Sequence, residues 1–179
     1  MSLASIKSQV KDSETYERYR NILTMAKQQG LKFSNLNEEL RNMHSGRSSR
    51  TLYVKGNPSA HGLMDAVLQD ASYRSRCVEI INTISAQRRL LEFATTSIRE
   101  YIVANFSTEL RQLYKTNAER DLALSSLTRS GARLVDDMEV VIEMADRIIG
   151  DIDQSGWSIK NAKELLELIN SRSPGVGDI

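Results

Sequence analysis

Two stretches of this chain place a side chain on one helical stripe by steps that alternate between four and three residues. In the first, Tyr73, Cys77, Ile80, Ile84, Gln87, Leu91, Ala94, Ile98 and Tyr101 keep the alternation, and Leu63 and Val67 extend the stripe upstream. In the second, Leu113, Asn117, Arg120, Leu124, Leu127, Gly131, Leu134, Met138, Val141, Ala145, Ile148 and Ile152 do the same. A mean step of 3.5 residues keeps a stripe facing a neighbouring helix along its whole length, which is the pattern of coiled-coil packing. No glycine or proline interrupts residues 63–101. Each run predicts a helix of about 40–45 residues, roughly 60–70 Å at 1.5 Å per residue. The break between them is expected at the "NFST" segment, with Ser107 as N-cap and Glu109 in the next first turn. A short connection makes the two helices antiparallel neighbours. The prediction is an all-α fold built on a long, coiled-coil-like helical hairpin over residues 60–153.

The stripes are wider than one partner can cover. Ile81, Phe93 and Ile102 widen the first, and Val135, Ile142 and Ile149 the second. Each such side chain left in water forfeits about 1.5–3 kcal/mol of burial. Helices N-terminal or C-terminal to the hairpin, or other subunits, are the candidates to cover them. Homo-oligomerisation is the economical solution, and the chain is expected to be a homo-oligomer.

Residues 1–59 read as a basic N-terminal region with two short helices and a flexible loop. The first helix is expected over residues 13–29, with Ser13 as N-cap, Glu14 and Glu17 in the first turn, and Gly30 in the left-handed conformation that ends it. The second is expected over residues 35–43, where Asn35 and Glu38 have capping-box spacing. Residues 44–62 have no helical period and carry Arg47, Arg50 and Lys55 beside Tyr53. At the other end, residues 154–171 read as a sharp corner followed by a short helix. Gly156 permits the turn, Ser158 caps the new helix, and Trp157 and Ala162 occupy hydrophobic-staple positions. Ile159, Leu165, Leu166 and Ile169 give that helix an apolar face, either a lid on the hairpin or a docking surface for another subunit. Oligomerisation is accordingly expected at Gly156, Trp157, Ile159, Leu165, Leu166 and Ile169. Residues 172–179 read as a disordered tail.

The chemistry of the chain excludes more than it offers. There is no apolar run long enough to span a bilayer, residues 1–13 lack the apolar stretch expected of a secretory leader, and Cys77 is the lone cysteine. These predict a soluble, cytoplasmic protein (host cytoplasm if phage-encoded) with no membrane partner. Phosphate-binding loops, dinucleotide fingerprints, zinc-protease helices and nucleophile elbows are all missing from the sequence. His44 and His61 fall in or beside the basic loop and read as solvated, while Cys77 reads as packing. The expectation is a protein without catalytic residues, metal or cofactor, and not an enzyme.

What remains is cationic. The net charge runs from +5 over residues 1–60, through +1 over residues 61–120, to −5 over residues 121–179. Cations and an aromatic on one mobile segment suit sequence-tolerant binding of single-stranded DNA, because the cations follow phosphates and the ring stacks on a base. Arg47, Arg50, Tyr53 and Lys55 are therefore candidate nucleic-acid-binding residues. Arg88, Arg89 and Arg99 on the first long helix are the second set.

The segment Gly156-Trp157-Ser158-Ile159-Lys160-Asn161 resembles the corner of the UvsY-type recombination mediators of T4-like phages. In that family a long amphipathic helix leads into a Gly-aromatic-x-Ile-Lys corner and a short helix. The apolar run over residues 140–152 and the earlier Tyr73-Arg74-Ser75-Arg76 follow the family's order of parts, so the resemblance covers roughly residues 70–170. Ser155 stands where the family usually has arginine, and the family's basic DNA-binding segment has Arg99 as its nearest counterpart. The resemblance implies a helical homo-oligomer that binds single-stranded DNA, contacts the strand-exchange recombinase and the single-strand-binding protein, and performs no covalent chemistry. The competing expectation is a structural helical oligomer of a phage virion, a neck, adaptor or scaffold component, without free DNA binding.

Overall fold

Ser2 opens the first helix by accepting the Ser5 N–H on its side chain, satisfying one of the donors that a helix start leaves unpaired. This short helix, α1 (Leu3–Lys11), is followed by three long ones: α2 (Glu14–Ser48), α3 (Ala60–Leu113) and α4 (Asn117–Arg172). The computed structural model describes residues 1–48 and 60–172, and no strand occurs among them. Among the described residues no helix is long and apolar enough to cross a membrane. Ser13 caps α2 as its sequence predicts, its Oγ accepting the Tyr16 N–H at 3.2 Å.

The chain divides into two compact units, Met1–Glu39 with Ile80–Glu143, and Leu40–Glu79 with Met144–Ile179. In the first unit Leu91, Ala94, Ile98, Ile102, Phe106 and Leu110 of α3 pack with Leu127 of α4, Tyr19 of α2, and Ile6 and Val10 of α1. The middle of each stripe read from the sequence is the buried face, with Ile84, Leu91 and Ile98 on α3 and Met138 and Val141 on α4 all within 1% of complete burial, whereas Val67, Leu113 and Asn117 at the stripe ends are exposed. The second unit buries Leu40 and Met43, Ala66 and Cys77, and Ala145, Ile148 and Ile152, one set from each long helix.

The surplus apolar width is covered largely from within the chain. α1 and α2 lie on the first unit's α3 and α4, so Ile102 is buried and Ile81, Val135 and Ile142 are half-buried. Phe93 is the exception at 72% exposure.

The N-terminal region departs from the two short helices expected of it. α2 runs unbroken for 35 residues through Gly30. The reason is visible in the spacing: Tyr16, Tyr19, Leu23, Ala26, Gly30, Phe33, Asn37, Leu40, His44 and Arg47 alternate by three and four without a slip. An interior glycine costs a helix only about 1 kcal/mol, which tertiary packing along such a stripe outweighs. Two stripe positions are polar at a cost, since Asn37 Oδ1 on α2 and Gln87 Oε1 on α3 are buried without a hydrogen bond.

The C-terminal corner is likewise absent as a break. α4 is helical from Asn117 to Arg172, straight through residues 154–160, and Gly156 is an exposed helical residue. Here too the stripe continues past Ile152 to Ser155, Ile159, Ala162, Leu166 and Ile169 in steps of three and four. Gly156 lies off that stripe, so it offers freedom that the packing does not use. The capping and staple roles of Ser158 and Trp157 do not arise within a continuous helix. The side chains of Trp157, Ile159, Leu165, Leu166 and Ile169 lie outside the described residues, as does the segment over residues 173–179.

The hairpin turn also lies later than expected, at residues 114–116 rather than at "NFST", because Phe106 and Leu110 keep α3 in the core. Thr116 and Glu119 form a reciprocal cap: the Glu119 carboxylate accepts the Thr116 N–H at 3.0 Å and the Lys115 N–H at 3.1 Å, while Thr116 Oγ1 accepts the Glu119 N–H. Arg120 closes the other side of the turn, donating to the Tyr114 and Lys115 carbonyls and to Asn117 Oδ1. Hydrogen bonds to the ionised form, the Thr116 N–H foremost, hold Glu119 below the ordinary glutamate range. A depressed carboxylate supports the fold above its unfolded pKa, and that support is lost as the pH falls through its folded pKa. Glu119→Gln is therefore expected to lower the melting temperature at neutral pH and to flatten its fall between neutral and acid pH. Parallel melting curves of mutant and wild type across that range would remove the cap from the turn's stability.

Candidate nucleic-acid interface

Arg47 is engaged within the fold. It is in the last turn of α2, and its Nε and Nη2 donate to the two oxygens of Asp70 at 2.9 and 3.2 Å. Nη2 also donates to the Asp151 carbonyl and to Ser155 Oγ, both at 3.1 Å. The side chains of Arg47 and Asp70 are only 12% and 17% exposed. Arg47, Asp70 and Ser155 each occupy a stripe position of their own helix, so three polar residues meet as one layer inside the second unit. This corrects the loop reading of Arg47: a guanidinium so engaged is a structural clasp. Arg50, Tyr53 and Lys55 lie outside the described residues.

Arg88 is also engaged. It donates to Glu92 at 2.9 Å one turn along α3 and to Glu139 on α4 at 3.4 Å. The Glu92 hydrogen bond is the main reason that its guanidinium is held above the ordinary arginine value. A phosphate at Arg88 would compete with these two partly exposed pairs, of which the Glu139 pair joins α3 to α4. Arg74 does the same work in the second unit through Asp153 at 3.0 Å.

Arg89 and Arg99 differ. Both are exposed, and neither forms an ion pair with any described residue. Arg99 stands on the rim of a cleft of about 410 Å³ in the first unit, between α3 and α4 just before the hairpin turn. Its floor is apolar, formed by Ile98, Ile102, Leu110 and Leu124, and its rim carries Arg99, Arg111, Arg120 and Asp121. Arg120 is held by the turn carbonyls, leaving Arg99 and Arg111 as cations with no described partner. Arg129 lies one turn along α4 from the lining residue Ser125, and Arg133 one turn further. Residues 95–133 together hold six lysines and arginines against four acids.

The cleft thus joins an apolar floor to exposed cations at its rim. Sequence reading found Arg99 and missed Arg111. The signal was a basic residue in the last turn of a helix, concealed because that helix was expected to end sooner. Arg88, Arg89 and Arg99 do not share one face of α3, and the structure brings only Arg99 to the cleft. Among the described residues no group of His, Cys, Asp and Glu side chains converges to hold a metal ion.

The chain matches no protein-family model, no curated protein and no solved structure.

Proposed function

We propose that this protein is a non-enzymatic accessory factor of DNA recombination that binds single-stranded DNA as a homo-oligomer. The observation carrying the reading is the pair of unpartnered cations, Arg99 and Arg111, above the apolar floor of the cleft. A nucleotide entering the cleft would meet its aliphatic lining with Arg99 and Arg111 at its edge to follow phosphates, the electrostatic part of sequence-tolerant strand binding. The sequence resemblance supplies the remainder of the proposal: a mediator that helps load a strand-exchange recombinase by contacting both it and the single-strand-binding protein.

For single-stranded DNA, the slope of log affinity against log salt falls by about 0.7 for every phosphate that the protein no longer neutralises. Arg99→Ala with Arg111→Ala is thus expected to flatten that slope by about 1.4, with helix content unchanged because both residues are exposed. Fluorescence anisotropy of a labelled oligonucleotide across a salt series measures it. An unchanged slope removes the cleft from the interface.

A second reading is favoured by the ion pairs. Arg47, Arg74 and Arg88 are committed to holding helices together, as expected of a structural helical component of a phage virion that has no free DNA-binding role. Absence of wild-type binding to the oligonucleotide at low salt would decide for this alternative.

A further inference from the structure

The face of α3 turned away from the first unit's core has an order of its own. Ala86, Arg89, Phe93, Thr96, Glu100 and Val103 follow one another by steps of three and four, half a turn away from the buried Ile84, Leu91 and Ile98. All six are exposed, Phe93 at 72% and Val103 at 64%, and Val103 also lies at the edge of the cleft that holds Arg99. Leu90, at 58%, flanks Phe93 on the same side. Exposed apolar side chains recurring along one helix face, here Leu90, Phe93 and Val103, are what a pairing with another helix would cover, and no described part of this chain covers them.

Taken in the opposite direction, the same six residues complement themselves. An antiparallel copy centred between Phe93 and Thr96 sets the small Ala86 opposite the partner copy's larger Val103. It sets the cation of Arg89 opposite the carboxylate of the partner copy's Glu100. It sets the Phe93 ring opposite the short side chain of the partner copy's Thr96. Each pairing occurs twice, as a two-fold axis requires. Neither Arg89 nor Glu100 has an ion-pair partner among the described residues, so both charges are free to pair across the interface. A second copy of this chain thus supplies the complementary order of size and charge that this face calls for.

We propose that two copies of the protein associate through an antiparallel, two-fold pairing of their α3 helices over residues 86–103, with Phe93 as anchor and reciprocal Arg89–Glu100 ion pairs fixing direction and register. The inference rests on the self-association in the functional reading above and assigns it a surface different from the C-terminal one expected from sequence.

The test is sedimentation equilibrium over a wide concentration range, with circular dichroism to confirm that each variant keeps its helix content. Wild type is expected to show a monomer–dimer step or a higher assembly built on it. Phe93→Glu removes a central aromatic anchor and is expected to raise the dissociation constant of that step by about thirtyfold or more. Arg89→Glu and Glu100→Arg each set like charges opposite one another twice, and each is expected to weaken association by about tenfold or more. The double variant R89E/E100R restores both pairs, and so does an equimolar mixture of the two single variants, which pair with each other. Failure of both rescues while the single variants still weaken association would overturn the antiparallel register. An oligomer indifferent to all the variants would leave self-association standing and place its interface elsewhere. A wild type that stays monomeric throughout would end both proposals.

Discussion

Replacing Gly131 with alanine is expected to destabilise the protein by about 2–3 kcal/mol, although alanine is the better helix former by about 1 kcal/mol. A Cβ at residue 131 would stand 2.6 Å from Tyr19 Oη and 3.1 Å from Tyr19 Cε2, inside contact distance for both. Tyr19 cannot give way freely. Its side chain is 1% exposed, its hydroxyl donates to the Thr128 carbonyl at 3.3 Å, and it accepts the Gly131 N–H at 3.1 Å. Burial is the main cause of its raised pKa, which keeps the hydroxyl protonated and able to donate. The methyl group therefore drives the ring from a packed site and breaks both hydrogen bonds, each worth about 1 kcal/mol. Tyr19→Phe alone is expected to cost about 1–2 kcal/mol. The double variant should cost clearly less than the sum, because the 2.6 Å clash disappears with the hydroxyl. Denaturant unfolding of all four proteins measures the coupling; additive effects would show that the two residues do not meet as described.

The second large effect is expected at Arg47. Removing one partner of a pair this buried strips Asp70 of a bidentate contact, and breaking a buried pair typically costs about 3–5 kcal/mol. Arg47→Ala also strips the Asp151 carbonyl and Ser155 Oγ of a donor. About 3 kcal/mol is expected, because the pair keeps some contact with water at 12% and 17% exposure. Arg47→Lys should recover little, since an ammonium cannot present the planar fork that grips both Asp70 oxygens and still reaches Ser155. Thermal and denaturant unfolding provide the measure. In contrast to the cleft arginines, Arg47 should change the salt slope of DNA binding only where the fold itself is lost. A stable Arg47→Ala protein with a flattened slope would return this residue to the DNA interface.

The two sites explain why part of this molecule could be read from its sequence and part could not. The hairpin was legible because aliphatic residues fill most stripe positions of α3 and α4, and periodic burial needs only local information. α2 was obscured because Gly30, Asn37, His44 and Arg47 occupy stripe positions where apolar residues were expected. What makes Arg47 tolerable there lies on other helices. Arg47 is acceptable in a packed layer because Asp70 and Ser155 arrive from residues 23 and 108 positions away. Gly131 is needed because Tyr19, 112 positions away, fills the space that a side chain would take. The same limit explains the corner: Gly156 permits a turn by its own backbone freedom, but whether a helix breaks there depends on what it packs against.

The candidate site divides along the same line. Charge and residue type, both properties of the sequence alone, marked the cations of this chain as its candidate binding chemistry. They could not separate Arg47 and Arg88, which pair with carboxylates, from Arg99 and Arg111, which pair with none among the described residues. That distinction depends on which acids come within hydrogen-bond reach after folding. The heptad spacing, a local property, determined the helices and their buried faces. The tertiary structure decided which cations remained exposed and which face of α3 remained uncovered, because both depend on partners contributed by distant parts of the chain.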